Sequence, residues 1–480
     1  MKVLIFFTVI LSFQVCAQFS GTNLLEYQYG RLPNANEAAF HGVYSKPILN
    51  YSWNNLKATV GLQIYQSPFN KRNYTDLSWL GVNYKNKKWE ISLGNFNSTL
   101  ERGVLLRSYE IQGALLEDLS FRGKHYFYRD VLGAKVGFRR KSFSVSALWG
   151  HVLNNVFPPS QPKKDRRSDE IAALSTTFKS FQQTLGVSGI RIKNILEESY
   201  YGSSNLSGSI LPYLSYYVLV AKKLNTITTE SSSQAIYGNL NFSFNSLGLS
   251  AEWKDYKNFV LGSGINEPPA LVKEHTYRVL NRSTHVLNPS NEKGVQFEGY
   301  FNLTDNTSLT LNYTQAINDS GKKFRYEEWF GEYSSIFSEQ TDYRIFLDYA
   351  TDELKNQRNR ISSGFVANHR INSSIQNITI EFNTQSYKQD QFKTKNYVGE
   401  ITLRYKKNLF LSFLYEWSND RFLTNDTRTW YGTTLNYKIN STNSFSIFGG
   451  ERRGGPACNA GVCYEILDFK GIEIRWSTRF

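Results

Sequence analysis

His275 and His285 fall within one stretch, "NFVLGSGINEPPALVKEHTYRVLNRSTHVLNPSNEKG", running from Asn258 to Gly294. The chain has only six histidines, so two in one segment single it out. Glu267, Glu274, Arg278 and Arg282 lie among them. A carboxylate beside an imidazole, with a second imidazole nearby, could bind a metal, but this spacing matches no metal signature. The segment mixes Leu, Val, Tyr and Phe with its charges, so it reads as folded, and a connection this long is uncommon without a function. Two roles fit it. It constricts a passage or docks a partner, or it is held inside an enclosed interior by hydrogen bonds.

"LERGVLLRSYE", Leu100 to Glu110, sets Arg102, Arg107 and Glu110 among apolar residues. Enclosed charges of this kind are expected to pair across the interior that holds them, in a structural role. Neither a Gly-x-Ser-x-Gly elbow nor a His-Glu-x-x-His helix occurs, and the histidines are too few and too scattered for a triad. We therefore expect no enzymatic activity and no cofactor.

The elements that must position these residues come from the rest of the chain. "MKVLIFFTVILSFQVCAQ" has one charge, Lys2, an apolar run to Val15 and the small-residue pattern Val15-Cys16-Ala17. That is a secretory signal peptide over residues 1–17, cleaved after Ala17, and too short to span a bilayer as a helix. Cleavage leaves two cysteines, Cys458 and Cys463, in an exported compartment that permits disulfides. The expected bond closes one small loop.

No second apolar run approaches the length of a membrane helix; "ILPYLSYYVLVA", from Ile210, is about half what is needed. The repeated signal has period two. In "LKATVGLQIY", Leu56, Ala58, Val60, Leu62 and Ile64 share one face, and Lys57, Thr59, Gly61 and Gln63 the other. "SLTLNYT" sets Leu309, Leu311 and Tyr313 against Thr310 and Asn312. Such strands recur from about Phe19 to the end, separated by tight turns such as Asn54-Asn55 and by longer polar loops. A soluble sandwich would bury the oily faces against a second sheet, and a propeller would repeat about every 40 residues, which this chain does not do. Aromatics, 15% of the chain, cluster near strand ends, as they do in membrane barrels. The last strand puts Ile472, Ile474, Trp476 and Phe480 on one face, and Glu473, Arg475, Ser477 and Arg479 on the other. Trp476 and the terminal Phe480 read as the insertion signal of an outer-membrane barrel.

The expected fold is all-β: a single transmembrane antiparallel up-and-down β-barrel over residues 18–480, with about 22 strands (range 18–24) and its C-terminus in the periplasm. Tight turns and long loops alternate consistently from Asn245 onward, but the parity slips by one between Arg191 and Gln234. By that parity the Asn258–Gly294 loop is extracellular. The formal charge is +14, or +13 once Lys2 leaves with the signal. A basic lumen within a low-dielectric wall would favour anions or acidic polysaccharide; alternatively the cations meet anionic head groups of the outer leaflet.

Three stretches together resemble an uncharacterised family of outer-membrane barrel proteins from Bacteroidetes: "INEPPALVKEHTYRVLNRSTHVLN" from Ile265, "ERGVLLRSYE" from Glu101, and "GGERRGGPACNAGVCYEILDFKGIEIR" from Gly449. The resemblance spans nearly the whole mature chain. It implies one barrel in the bacterial outer membrane and a paired loop at Cys458 and Cys463, and it implies no activity. The expected function is pore-like or transporter-like, with anions fitting the charge. The alternative is an accessory subunit of a secretion, polysaccharide-export or barrel-assembly complex. A transporter should have an open lumen, an accessory subunit a filled one. Expected partners are outer-membrane lipid and lipopolysaccharide, the barrel-assembly machinery during insertion and, in the accessory reading, a protein in a larger complex; an exported chain is not expected to meet nucleic acid. Strands beginning at Phe19 leave no room for an N-terminal plug domain, which argues against a TonB-dependent receptor.

Overall fold

A strand whose outward side chains are all apolar and whose inward ones are all polar can satisfy both lipid and an enclosed lumen, provided the sheet has no open edge. The computed structural model has this form. It describes residues 19–31, 39–67, 73–117, 123–153, 168–195, 197–225, 232–262, 264–319, 321–371, 375–421, 427–459 and 462–480, without the side chains of 127, 128, 168 and 456–465. The expected signal peptide lies outside the described residues. Twenty-four strands of 8 to 15 residues form one antiparallel sheet in which sequence neighbours pair. The first, Phe19–Arg31, pairs with the last, Phe469–Arg479, and closes it. No helix among the described residues is long and apolar enough to cross a membrane; the strands do the crossing.

The strand number is 24, not 22. One rim carries eleven connections of two to four residues. The other rim carries the long connections, but several of its links are equally tight. One of them joins Gln183–Lys193 to Glu198–Leu211. A tight link on the long-loop rim breaks the alternation that counting relied on, in the region where the parity slipped. Tight turns are made affordable by asparagine: Asn54 (φ 51°) and Asn245 (φ 49°) adopt the left-handed conformation that Asn tolerates and that suits two-residue hairpins.

The outer surface is largely apolar, with charged exceptions such as Arg325 and Glu327 near the long-loop rim. Val60, Leu174, Leu249, Leu311, Ile345 and Ile472 point away from the lumen and are exposed. Trp53, Trp89, Phe178, Phe244 and Tyr405 stand exposed near the tight-turn rim, and Tyr29, Trp149, Trp253, Tyr349 and Tyr431 near the other. These are the two aromatic girdles of a membrane barrel. Trp476 is exposed on the last strand, and Phe480 is exposed just beyond it. Phe480 exchanges backbone hydrogen bonds with Gly21 at 2.8 and 3.0 Å. A Cβ on Gly21 would come within 2.4 Å of the Phe480 ring, so the seam needs glycine there.

Candidate functional site

The core of the molecule is the lumen, and three insertions fill it. All three leave the same rim. The first connects Trp89–Phe96 to Val131–Arg139, the second Leu247–Lys257 to Asn291–Thr304, and the third Asn443–Arg452 to Phe469–Arg479.

The first insert begins with a tight turn between the short strands Thr99–Leu100 and Leu106–Arg107. Glu101 and Arg102 both hold φ at 53°, and Gly103 follows at 92°. Three left-handed residues in succession are costly unless the surroundings fix them. Here they are fixed. Glu101 accepts hydrogen bonds from Ser188 (2.6 Å), Asn205 (2.6 Å) and Tyr217 (3.2 Å). The Arg102 guanidinium lies over the Tyr217 ring at 3.9 Å. Beyond the turn, Val104, Leu105 and Leu106 are fully buried in one apolar cluster with Val131, Ile171, Ile192 and Leu219 of the wall. A hairpin, Tyr109–Glu117 with Lys124–Arg129, then crosses to the seam. Its polar contacts there are several: Lys46 donates to Glu110 at 3.0 Å, Tyr126 N–H donates to Gln63 at 3.0 Å, and Lys124 pairs with Glu26 and Glu117, while Leu115 and Tyr126 pack in a small cluster with Tyr44, Tyr65 and Tyr74 of the wall.

The second insert locks onto the first. Asn266 donates to the carbonyls of Val104 (3.2 Å) and Phe259 (2.8 Å), Glu267 N–H to Gly103 (2.9 Å), and Arg107 N–H to Ile265 (3.1 Å). It then runs along the opposite wall. His275 meets Glu328 at 3.2 Å, and Tyr277 stacks on Phe346. A short helix, Arg278–Ser283, follows. Arg278 donates to Glu400 at 2.8 Å, and Arg278 and Arg282 both reach Glu416. Arg360, fully buried on the wall, donates to Ser283 O (3.1 Å), Glu328 (3.0 Å) and Asp348 (3.2 Å). His285 sits between Asp352 (3.3 Å) and Glu292 (3.4 Å). Burial opposes a charge on His285, but the two carboxylates outweigh it and raise its pKa.

In the third insert the strands Gly455–Asn459 and Val462–Ile466 pair, with Cys458 opposite Cys463 in the backbone register. The expected disulfide itself lies outside the described residues, which exclude these side chains. One strand lies against the helix of the second insert and the other against the hairpin of the first. Arg453, at the root of this insert, is buried beside Arg282, and both burial and that neighbouring charge bring its pKa down to about 10.

Among the described residues, two sizeable cavities stand out. One, about 620 Å³, lies within the second insert and is lined by Arg129, Glu267, Glu274, His275, Asn281 and His285, among others. The other, about 730 Å³, lies between the hairpin and the tight-turn rim. Among the described residues no group of three or more His, Cys, Asp and Glu is placed to hold a metal.

The model of a family of unknown function, DUF6029, matches residues 213–480. The chain belongs to this family. The match takes in the second and third inserts of the DUF6029 barrel and ends short of the first. No curated protein matches the sequence. Among solved structures, the chain is similar to a chain of the E. coli P pilus tip assembly intermediate PapC-PapD-PapK-PapG, with a TM-score of 0.54 and 9% identity, over 96% of this chain and 60% of that one. It also matches the translocation pore of the P pilus usher PapC (TM-score 0.49, 9% identity, 96% and 99% covered) and the Pseudomonas aeruginosa outer-membrane protein opdK (0.39, 11%, 70% and 94%). At these identities the likeness is one of fold: a bacterial outer-membrane barrel, and the outer membrane is its location.

The candidate residues are thus brought into one lumen but not into one site. Glu274, His275 and His285 share a cavity; Arg278 and Arg282 share Glu416; Arg107 lies 3.8 Å from Glu267. Arg102 rests on the rings of Tyr217 and Tyr237 and Glu110 pairs with Lys46, so these charges meet partners on the wall across the lumen. Sequence reading missed the wall residues that complete these contacts: Glu328, Asp348, Arg360 and Glu416. The available signal was a charged residue at an inward position of an alternating strand.

Proposed function

We propose that the protein is a transporter-like outer-membrane barrel, closed at rest, whose lumen inserts act as a gate, with the tight-turn rim and C-terminus in the periplasm. The observation that carries this reading is the polar seat of the hairpin. Its ion pairs and hydrogen bonds with the wall can be replaced by water, and its apolar contact there is small, Leu115 and Tyr126 beside Tyr44 and Tyr65, whereas a permanent stopper is best held by extensive apolar packing. The basic balance of the chain supports anionic solutes, and the resemblance supports an origin in Bacteroidetes. The test is single-channel conductance in a planar bilayer, comparing the intact barrel with one in which residues 109–128 are replaced by a short Gly-Ser link. The gate reading expects a closed or flickering intact barrel and a steady, anion-selective conductance after excision.

The filled lumen also favours a second reading, an accessory subunit of a larger outer-membrane complex. A barrel that stays closed after excision of the hairpin, yet remains folded, would move the assignment there.

A further inference from the structure

We infer that the cavity between the hairpin and the tight-turn rim is a binding site for a small hydroxylated anion, of the sugar-acid or sugar-phosphate class. This names the solute for the transporter reading and rests on it. Four cations line the cavity: Lys46, Lys57, Lys438 and Arg479. Glu110 is the sole carboxylate side chain among the described lining residues, and Lys46 already pairs with it at 3.0 Å. Lys57, Lys438 and Arg479 remain as an excess of three positive charges. Each sits at an inward position, because its neighbours Leu56, Tyr437 and Phe480 belong to the lipid-facing set. They come from three strands close to the seam, so they surround the space instead of marking one edge of it.

Charge gives the sign of the ligand; the remaining lining gives its kind. Asn23, Asn50, Gln112, Thr442 and Ser477 offer amides and hydroxyls, and Trp79 offers an aromatic face. That combination suits a ring carrying several hydroxyls. The volume, about 730 Å³, is within the usual range for small-molecule sites and far above what one phosphate needs. The enclosing low-dielectric wall focuses the field of the three cations into the cavity.

Isothermal titration of the full-length barrel in a non-ionic detergent tests this without any conductance, so a failed gate and a failed site are told apart. The probes are D-glucuronate and glucose 6-phosphate, with glucose and inorganic phosphate as controls. Both sugar anions should bind at least about tenfold more tightly than either control, and should weaken as salt rises. The Lys57→Gln/Lys438→Gln/Arg479→Gln variant should lose about tenfold or more for the anions; Lys57→Gln alone serves if the triple variant does not fold. The inference is overturned by equal binding of glucose and glucuronate, by phosphate binding as tightly as glucose 6-phosphate, by an absence of binding, or by a folded variant that retains wild-type affinity.

Discussion

The first insert touches the barrel in two ways. Its turn, residues 97–108, is gripped by a continuous apolar cluster that includes Leu105, Leu106, Val131, Ile171 and Leu219. Its hairpin, only a few residues later, rests mainly on Lys46, Gln63 and Glu26, with one small aromatic contact of Tyr126 and Leu115 on Tyr44 and Tyr65, and with Ile111, Ala114 and Leu116 forming a cluster of their own. The second insert is gripped both ways, by ion pairs through Arg360, Glu328 and Glu416 and by apolar packing of Tyr277, Val279 and Leu280 against Phe330, Phe346 and Val366. The contrast separates anchor from gate. Apolar packing holds at any pH or salt concentration. An ionic seat holds only while each buried charge keeps its partner, and removing one partner costs more than the pair contributed.

The sharpest way to break the comparison is at Arg360. Arg360→Met leaves Glu328 and Asp348 buried on the wall without their guanidinium. The expected cost is about 3–5 kcal/mol. Protease clipping within 270–290 of the folded barrel, alongside its unfolding midpoint, would read it; an unchanged midpoint with no new clipping would mean that the ionic seat contributes little. Leu106→Ala probes the anchor. It should cost about 2–5 kcal/mol through lost burial and the cavity left behind. Because the anchor is apolar, that loss should be the same in low and high salt, while the Arg360 defect should vary with pH. Equal salt and pH sensitivity for both would erase the distinction.

The strands were legible because lipid outside and a polar lumen inside impose the same period of two on every one of them. "SLTLNYT" and the terminal strand have the facing read from sequence, with Leu311 and Trp476 exposed and Asn312 and Glu473 buried. Strand number was not legible, because links such as that between Lys193 and Glu198 are tight on the rim where long loops were expected. The Asn258–Gly294 segment stood out by interrupting the pattern, and it does enter the lumen. Its partners did not stand out. An inward Arg360 looks like any other lumen-facing polar residue until the insert's own path brings Ser283 O within 3.1 Å of it. The convergence of "ERGVLLRSYE", "INEPPALV" and the cysteine loop is a property of three loops far apart in sequence, and no local pattern encodes it.

The third insert touches both others, so its covalent state sharpens the comparison. Cys458 and Cys463 are backbone register partners in a two-stranded pair. A disulfide closing so small a loop is worth about 2 kcal/mol in the chain-entropy account. The purified barrel should resist thiol alkylation until a reductant is added, and reduction should loosen the hairpin before the apolar anchor. Ready alkylation of the oxidised preparation would remove the bond. A smaller effect is expected at Lys46→Met, which frees the partly exposed Glu110 to face the cavity. The cost should be about 1 kcal/mol or less, since one member of the pair can rehydrate. A loss as large as that of Leu106→Ala would show that the hairpin is an anchor after all.

The smallest effect should come from protonation of His285. Asp352 and Glu292 hold its charged form against burial, and Lys254 pairs with the same Glu292. A histidine whose pKa is raised on folding contributes stability that is fully present below the unfolded value of about 6.5 and is lost as the pH rises through the folded value. The strap around residues 280–290 should therefore exchange amide hydrogens more readily at pH 9 than at pH 6, after correction for intrinsic rates. In His285→Gln that pH dependence should vanish, while the anchor at Val104–Leu106 should show none in either protein. A wild-type strap with the same protection at both pH values would mean that the ionic seat survives without the imidazolium, and that its hold lies with Arg360, Arg278, Arg282 and the apolar packing of Val279 and Leu280.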